Sequence, residues 1–236
     1  MKTKLTQYIG FIGLISASHT VFSHPDADPL VSLLTLDQLE RQNEDENNST
    51  NWKASAWVGK DLHKLWFKTE GELHRGNIEN SEFQLTLSRA VSPFWDIHAG
   101  WRSDDKPTKN RHWFAVGLQG LAPYFFDTSL TFYIGKDGET AFRVDTEYDL
   151  LITQKLILSP SLELNLYGRN DSESRTGSGL SNLEAGLRLR YEIRREFAPY
   201  IGVNYDKKIG KTAEYRQNDG LKNEALSWVF GITCWY

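Results

Sequence analysis

Cysteine and methionine are almost missing from these 236 residues, which hold one of each, Cys234 and Met1. A single thiol excludes an internal disulfide, and a lone thioether excludes a site built from clustered sulfur ligands. Long apolar runs are missing as well. Beyond residue 23 no stretch approaches the roughly 18 apolar residues of a membrane-spanning helix. There is no basic excess either: 27 Lys and Arg stand against 31 Asp and Glu, a net charge of −4. That balance argues against a nucleic-acid partner, which wants a basic stripe. Gly-x-Gly-x-x-Gly, Walker and His-Glu-x-x-His patterns do not occur, so the sequence gives no motif for nucleotide or zinc-protease chemistry.

What is present begins with a segment to be set aside. Lys2 and Lys4 precede a short apolar run, Tyr8 to Ala17, and Val21 and Ser23 fit the −3 and −1 positions of a cleavage site. This order predicts a secretory signal peptide over 1–23. Residues 24–51 read as an N-terminal periplasmic extension. Within it Leu30, Leu33, Leu34 and Leu36 suit one side of a short helix, and the acidic, asparagine-rich stretch after Gln42 suits a flexible linker.

From Trp52 the pattern turns to period two. Phe83, Leu85 and Leu87 alternate with Glu82, Gln84, Thr86 and Ser88, and Phe142, Val144 and Thr146 with Arg143, Asp145 and Glu147. A strand sends successive side chains to opposite faces, so each of these segments has one apolar and one charged face. The segments run to about ten residues, the length of a tilted membrane crossing rather than of an ordinary strand. Aromatics make up 13% of the chain and charged residues 25%. A barrel reconciles the two, with lipid outside and a polar lumen inside.

Turns give an independent signal. Short connections at "AVSPF", "GLAPYF", "DLLITQK" and "REFAPY" alternate with longer polar ones at "HRGNIENS", "SDDKPTKNR", "GRNDSESRTGSGLSN" and "KKIGKTAEYRQNDGLKNE". That asymmetry belongs to outer-membrane barrels. The fold expected is an all-β, transmembrane, antiparallel up-and-down β-barrel over 52–236, of about 10 strands (10 to 12), located in the Gram-negative outer membrane. Trp52 to Val58 reads as a flap or lumen-filling segment. Trp95, Trp101, Trp113, Tyr124, Phe125, Phe126, Tyr148, Phe197 and Tyr200 suit aromatic girdles. The last segment alternates Trp228, Phe230, Ile232, Cys234 and Tyr236 on one face, the ending that the barrel-assembly machinery reads. By parity Glu70, Glu72, His74, Asp96, His98, Asp145 and Glu147 face the lumen. His98 with Glu70 or Glu72 could hold a cation there, or these carboxylates could pair with Lys68, Arg102 and Arg143.

Several stretches in fixed order carry a more specific likeness: "LWFKTEGEL" (65–73), "SRAVSPFWDIHAGWRSD" (88–104), "GLQGLAPYFFD" (117–127), "EYDLLITQKLILSPSLELNLYG" (147–168) and "GSGLSNLEAGLRLRYEIRREFAPYIGVNYDKKIG" (177–210). The chain resembles the CopB/PcoB copper-resistance outer-membrane proteins. The resemblance implies a barrel in copper tolerance that binds copper ions as ligand or cargo, working with a periplasmic multicopper oxidase, and no enzyme activity. Copper would then be the cation of the seven lumen residues, and His24 a second chelating candidate. The chain departs from the family in lacking a methionine- and histidine-rich region ahead of the barrel, so a methionine-based copper site is absent. Two other functions compete: a lipid-modifying barrel enzyme using Ser88 and His98, and a structural or adhesive barrel whose long loops bind a partner.

Overall fold

A computed structural model of the chain describes residues 28–44, 47–106 and 109–236. The expected signal peptide, His24 and residues 45–46 of the acidic stretch lie outside them. Thirteen strands follow in chain order: β1 (Val31–Glu44), β2 (Asn47–Gly59), β3 (His63–His74), β4 (Asn77–Ser92), β5 (Trp95–Asp105), β6 (Arg111–Ala122), β7 (Phe126–Gly135), β8 (Thr140–Glu147), β9 (Leu150–Leu151), β10 (Leu156–Tyr167), β11 (Gly179–Tyr191), β12 (Phe197–Lys208) and β13 (Glu224–Trp235). Each pairs antiparallel with the next, except that β8 and β9 lie end to end along β10 and form one stave. The ring of twelve staves closes where β13 pairs with β1, Leu36 opposite Cys234. Leu34 and Tyr236 exchange backbone hydrogen bonds of 2.9 and 2.8 Å at this seam. Closure leaves no exposed sheet edge.

Two expectations are corrected here. The stretch read as an extension with a short helix is strand β1, and the flap over Trp52 to Val58 is the middle of β2. Leu33 lines the lumen mouth while Leu34 is exposed outside, so leucines on both faces mask the alternation, and a β-bulge follows. β1 gains an extra residue between Leu36 and Leu39 against β13, and between Leu36 and Gln38 against β2. An extra residue shifts the side-chain parity, so Leu39 is exposed and Glu40 turns inward, where unbroken alternation from Leu34 and Leu36 would turn Glu40 out.

Elsewhere the alternation holds. Phe83, Leu85 and Leu87 point outward and are exposed, while Glu82, Thr86 and Ser88 point inward and are buried. An apolar exterior around a polar interior is the arrangement a barrel needs in lipid. Two of the expected girdle aromatics are not on that exterior. Trp113 and Tyr200 are buried on the lumen side at 3% and 5% exposure, because each donates its polar hydrogen to a lumen carboxylate. Trp101 faces out and stacks on His112, with ring centroids 5.6 Å apart.

The two rims differ. At one lie the start of β1, the end of β13 and the short turns, including an exposed Tyr124–Phe125 pair. At the other lie a helix, α1 (Gly210–Asn218), and the 168–178 loop. They are tied together: Thr212 Oγ1 accepts the Gly177 N–H at 2.7 Å, and Arg175 pairs with Asp219 at 2.8 Å. The "HRGNIENS" stretch is no long loop. Arg75 and Gly76, with φ of 50° and 84°, make a two-residue turn and the strands run on past it.

Candidate functional site

The inward faces of the strands meet in a layer of ion pairs across the middle of the lumen. Arg143 on β8 reaches Glu70 on β3 at 2.9 Å, Glu82 on β4 at 3.0 Å and Glu163 on β10 at 3.5 Å. Glu82 also takes Arg102 at 2.6 Å, and Arg102 binds Asp104 at 2.6 Å. Trp113 Nε1 donates to Asp104 at 3.0 Å, and the Arg102 guanidinium lies 4.5 Å from the centre of the Tyr133 ring. A separate bridge joins Lys53 on β2 to Asp145 on β8 at 3.1 Å.

That last bridge fixes the shape of the barrel. β2 and β8 are six staves apart in a ring of twelve, and so stand on opposite walls. Twelve tilted staves with the usual spacing would close a circular ring roughly 24 Å across. A bridged lysine and aspartate span no more than about 13 Å between Cα atoms at standard bond lengths. The barrel is therefore flattened, and β2 approaches β8 at this level.

The ion-pair layer separates two cavities. One, of about 810 Å³, opens toward the rim that carries the sheet termini and is lined by Leu33, Phe94 and Phe125 at its mouth. The other, of about 430 Å³, lies under the loop rim beside Lys106, Ser174 and Thr212. Lys53, Glu70, Glu82, Arg143 and Asp145 line both, and so form the wall between them. The chambers differ in charge. Eight carboxylates and five cationic side chains line the first. Nine of each line the second.

The seven residues read as lumen-facing are dispersed along the barrel. Glu70 and Asp145 belong to the ion-pair layer. Asp96 sits 3.8 Å from Lys64 near the terminus rim. Glu72 lines the loop-side chamber, and His74 ends β3 opposite Ser49 and Asn77. Glu147 lies directly across from Asp127 on β7, and neither carboxylate makes a hydrogen bond or ion pair. His98 is buried; its Nε2 meets Thr131 Oγ1 at 3.2 Å and its Nδ1 has no partner. Its ring lies against Gly117, where a Cβ would come within 2.9 Å of it.

The expected pairing of His98 with Glu70 is not formed. His98 stands opposite Ser88 on β4, and Glu70 opposite Glu82, six residues further along that strand. Six residues of strand are about 20 Å. Among the described residues no three His, Cys, Asp or Glu side chains gather into a ready-made metal cage. Ser88 and His98 do not form a nucleophile–base pair: the Ser88 hydroxyl accepts from Trp66 Nε1 at 3.1 Å and His98 turns to Thr131.

Sequence reading missed the most enclosed charged group among the described residues. Glu40 on β1 is 2% exposed. It accepts from Arg188 Nε and Nη2 at 3.0 and 3.1 Å and from the Tyr200 hydroxyl at 3.1 Å. Gly231 makes room for that phenol, since a Cβ there would lie 2.5 Å from its oxygen. The only signal was an acid within a leucine-rich strand, and the helical reading of that strand hid it.

A family model described as "Copper resistance protein B precursor (CopB)" matches residues 30–236. The chain belongs to the copper resistance protein B family. Copper resistance protein B of Escherichia coli is 45% identical over 204 residues, covering 86% of this chain and 69% of that protein. A homolog from Pseudomonas syringae pv. tomato is 43% identical over 205 residues, covering 87% and 70%. Among solved structures, the NanC porin matches with a TM-score of 0.59 at 14% identity, over 85% of this chain and 98% of the porin. The KdgM porin matches with a TM-score of 0.50 at 11% identity, over 86% and 98%. At such identities the porins speak for the fold alone. This copper resistance protein B family member is an outer-membrane β-barrel. Its short turns and sheet termini mark the periplasmic rim, and α1 with the 168–178 loop the outer rim.

Proposed function

We propose that the barrel serves copper resistance by admitting copper ions to its periplasmic chamber and handling them as transient cargo. It moves them across the outer membrane or holds them at it, and it catalyses no reaction. The observation that carries this reading is the excess of carboxylates over cationic side chains in that chamber. A chamber of that charge concentrates cations from the periplasm.

The donor set suits the oxidised ion. Carboxylate and imidazole oxygens and nitrogens accept Cu(II), whereas Cu(I) prefers thioether and thiolate sulfur. The sequence supplies one methionine and one cysteine. Asp127 and Glu147, opposed and not ion-paired, are the first ligands in this reading, with Asp96 nearer the rim and His98 in the wall. Glu70 and Asp145 are reached only by displacing Arg143 and Lys53. Glu72 and His74 serve the outer side. Dispersed ligands favour passage, because conduction needs sites weak enough to release the ion. A multicopper oxidase would meet the barrel at its periplasmic rim.

Equilibrium dialysis of the refolded full chain against Cu(II) tests the proposal. The wild type should bind copper, and Asp127→Asn with Glu147→Gln should weaken that binding several-fold. A wild type that takes up no more copper than an unrelated refolded barrel removes the reading.

A further inference from the structure

We infer that Lys53 and Arg143 set the permeability of this barrel: their ion pairs bar the lumen against small ions at a single level between the two chambers. The inference deepens the proposed function, since it names the residues that any cargo must displace. It rests on geometry alone. Lys53 and Asp145 come from opposite walls of the ring and meet at 3.1 Å. Arg143, two residues before Asp145 on β8, crosses in the same direction to Glu70 on β3 and Glu82 on β4. The two bridges are neighbours in register as well, because Lys53 stands opposite Glu70 on the paired strands β2 and β3. They therefore form one crossbar, not two scattered contacts.

The crossbar lies where opposite walls of the lumen approach, since the lysine bridge itself requires it. It is the boundary that both cavities share. Its chemistry makes it selective. A potassium ion approaching from the acidic chamber meets two fixed cations whose carboxylates are already neutralised, and gains little by displacing them. A divalent ion with carboxylate affinity gains more at Glu70 and Asp145 than a monovalent one, by Coulomb attraction and by coordination. The bar thus passes the one by exchange and holds back the other.

The test is ion current through the full chain in planar bilayers bathed in potassium chloride. Wild type should conduct far less than its ring of twelve staves would allow if open. Lys53→Ala with Arg143→Ala should raise the conductance several-fold and shift selectivity toward cations. Lys53→Arg should stay low. The charge exchange Lys53→Asp with Asp145→Lys rebuilds a bridge of the same length and should also stay low, whereas Lys53→Asp alone should open. Insertion is checked for every variant by the mobility difference between boiled and unboiled protein on gels. If the double alanine variant fails to insert, Lys53→Gln and Arg143→Gln, which keep most of the volume, carry the same expectation. A wild type already conducting like the double variant, or a double variant no more conductive than wild type, overturns the inference. Potassium current is read without copper, so a barred barrel that fails to bind copper defeats only the proposed function. An open wild-type lumen that binds copper defeats only this inference.

Discussion

Glu40→Ala strikes the least exposed charged side chain among the described residues. It removes a carboxylate that is 2% exposed and leaves Arg188, 8% exposed, without its two-pronged acceptor. The Tyr200 hydroxyl loses its acceptor as well. Breaking a buried pair by deleting one partner costs about 3–5 kcal/mol, most of it the stranded charge. Arg188 and Tyr200 border the periplasmic chamber, and Arg188 the outer one as well, so water reaches them and the lower end applies. About 3 kcal/mol is roughly a hundredfold in the folding equilibrium. The loss falls on the closing seam, because Glu40 belongs to β1 and lies opposite Gly231 on β13. Urea unfolding in phospholipid vesicles, followed by tryptophan fluorescence, measures it. Glu40→Gln keeps an acceptor for Tyr200 and should lose less. Glu40→Ala combined with Arg188→Met should recover most of the stability, since no charge is then left buried. A Glu40→Ala midpoint indistinguishable from wild type, or a double variant that loses the sum of both singles, would refute the reasoning.

Other consequences are checkable in the same preparations. Leu85→Arg places a charge at the middle of the outward face of β4 and should cost about 2–4 kcal/mol in vesicles if that face lies at the bilayer midplane; an unchanged midpoint would remove Leu85 from the hydrocarbon. Gly231→Val should clash with the Tyr200 hydroxyl and destabilise the seam, with Tyr200→Phe relieving part of the loss in a double-variant cycle. At the outer rim, burial raises Asp171, but hydrogen bonds from Lys109 and Ser174 outweigh it and hold the carboxyl below its usual range. A depressed carboxylate stabilises above its ordinary value near 4 and loses that contribution as pH falls through the depressed one. Protease cleavage in 168–178 should therefore be unchanged from neutral pH down to about 4 and rise only below it; a rise already at neutral pH would contradict a role for Asp171 in holding the loop.

Much of this architecture was legible because strand parity is a local property. Glu82, Gln84 and Thr86 could be turned inward from the residues beside them, and the short turns near Pro93 and Pro123 mark their own rim. Parity fails where one residue is inserted. The bulge after Leu36 turned Glu40 inward against the alternation of Leu34 and Leu36, and Leu33 on the lumen side gave the same strand an apparent helical stripe. Aromatic girdles were over-read for a related reason: Trp113 and Tyr200 have a polar hydrogen, and a lumen carboxylate claims it. The candidate site was legible only as a list. Parity says that Glu70, His98 and Asp145 share the interior, but not at which height. Height depends on strand tilt and stagger around the whole ring. That is why His98 and Glu70 proved distant, while Lys53 and Asp145, 92 residues apart in the chain, meet.

Periplasmic copper content, compared between copper-exposed cells with and without this protein, tests the central claim most directly. Copper should accumulate in the periplasm of cells lacking the barrel, and return of the wild-type chain should lower it again. Equal copper in both would leave an intact outer-membrane barrel whose acidic chamber does not handle copper.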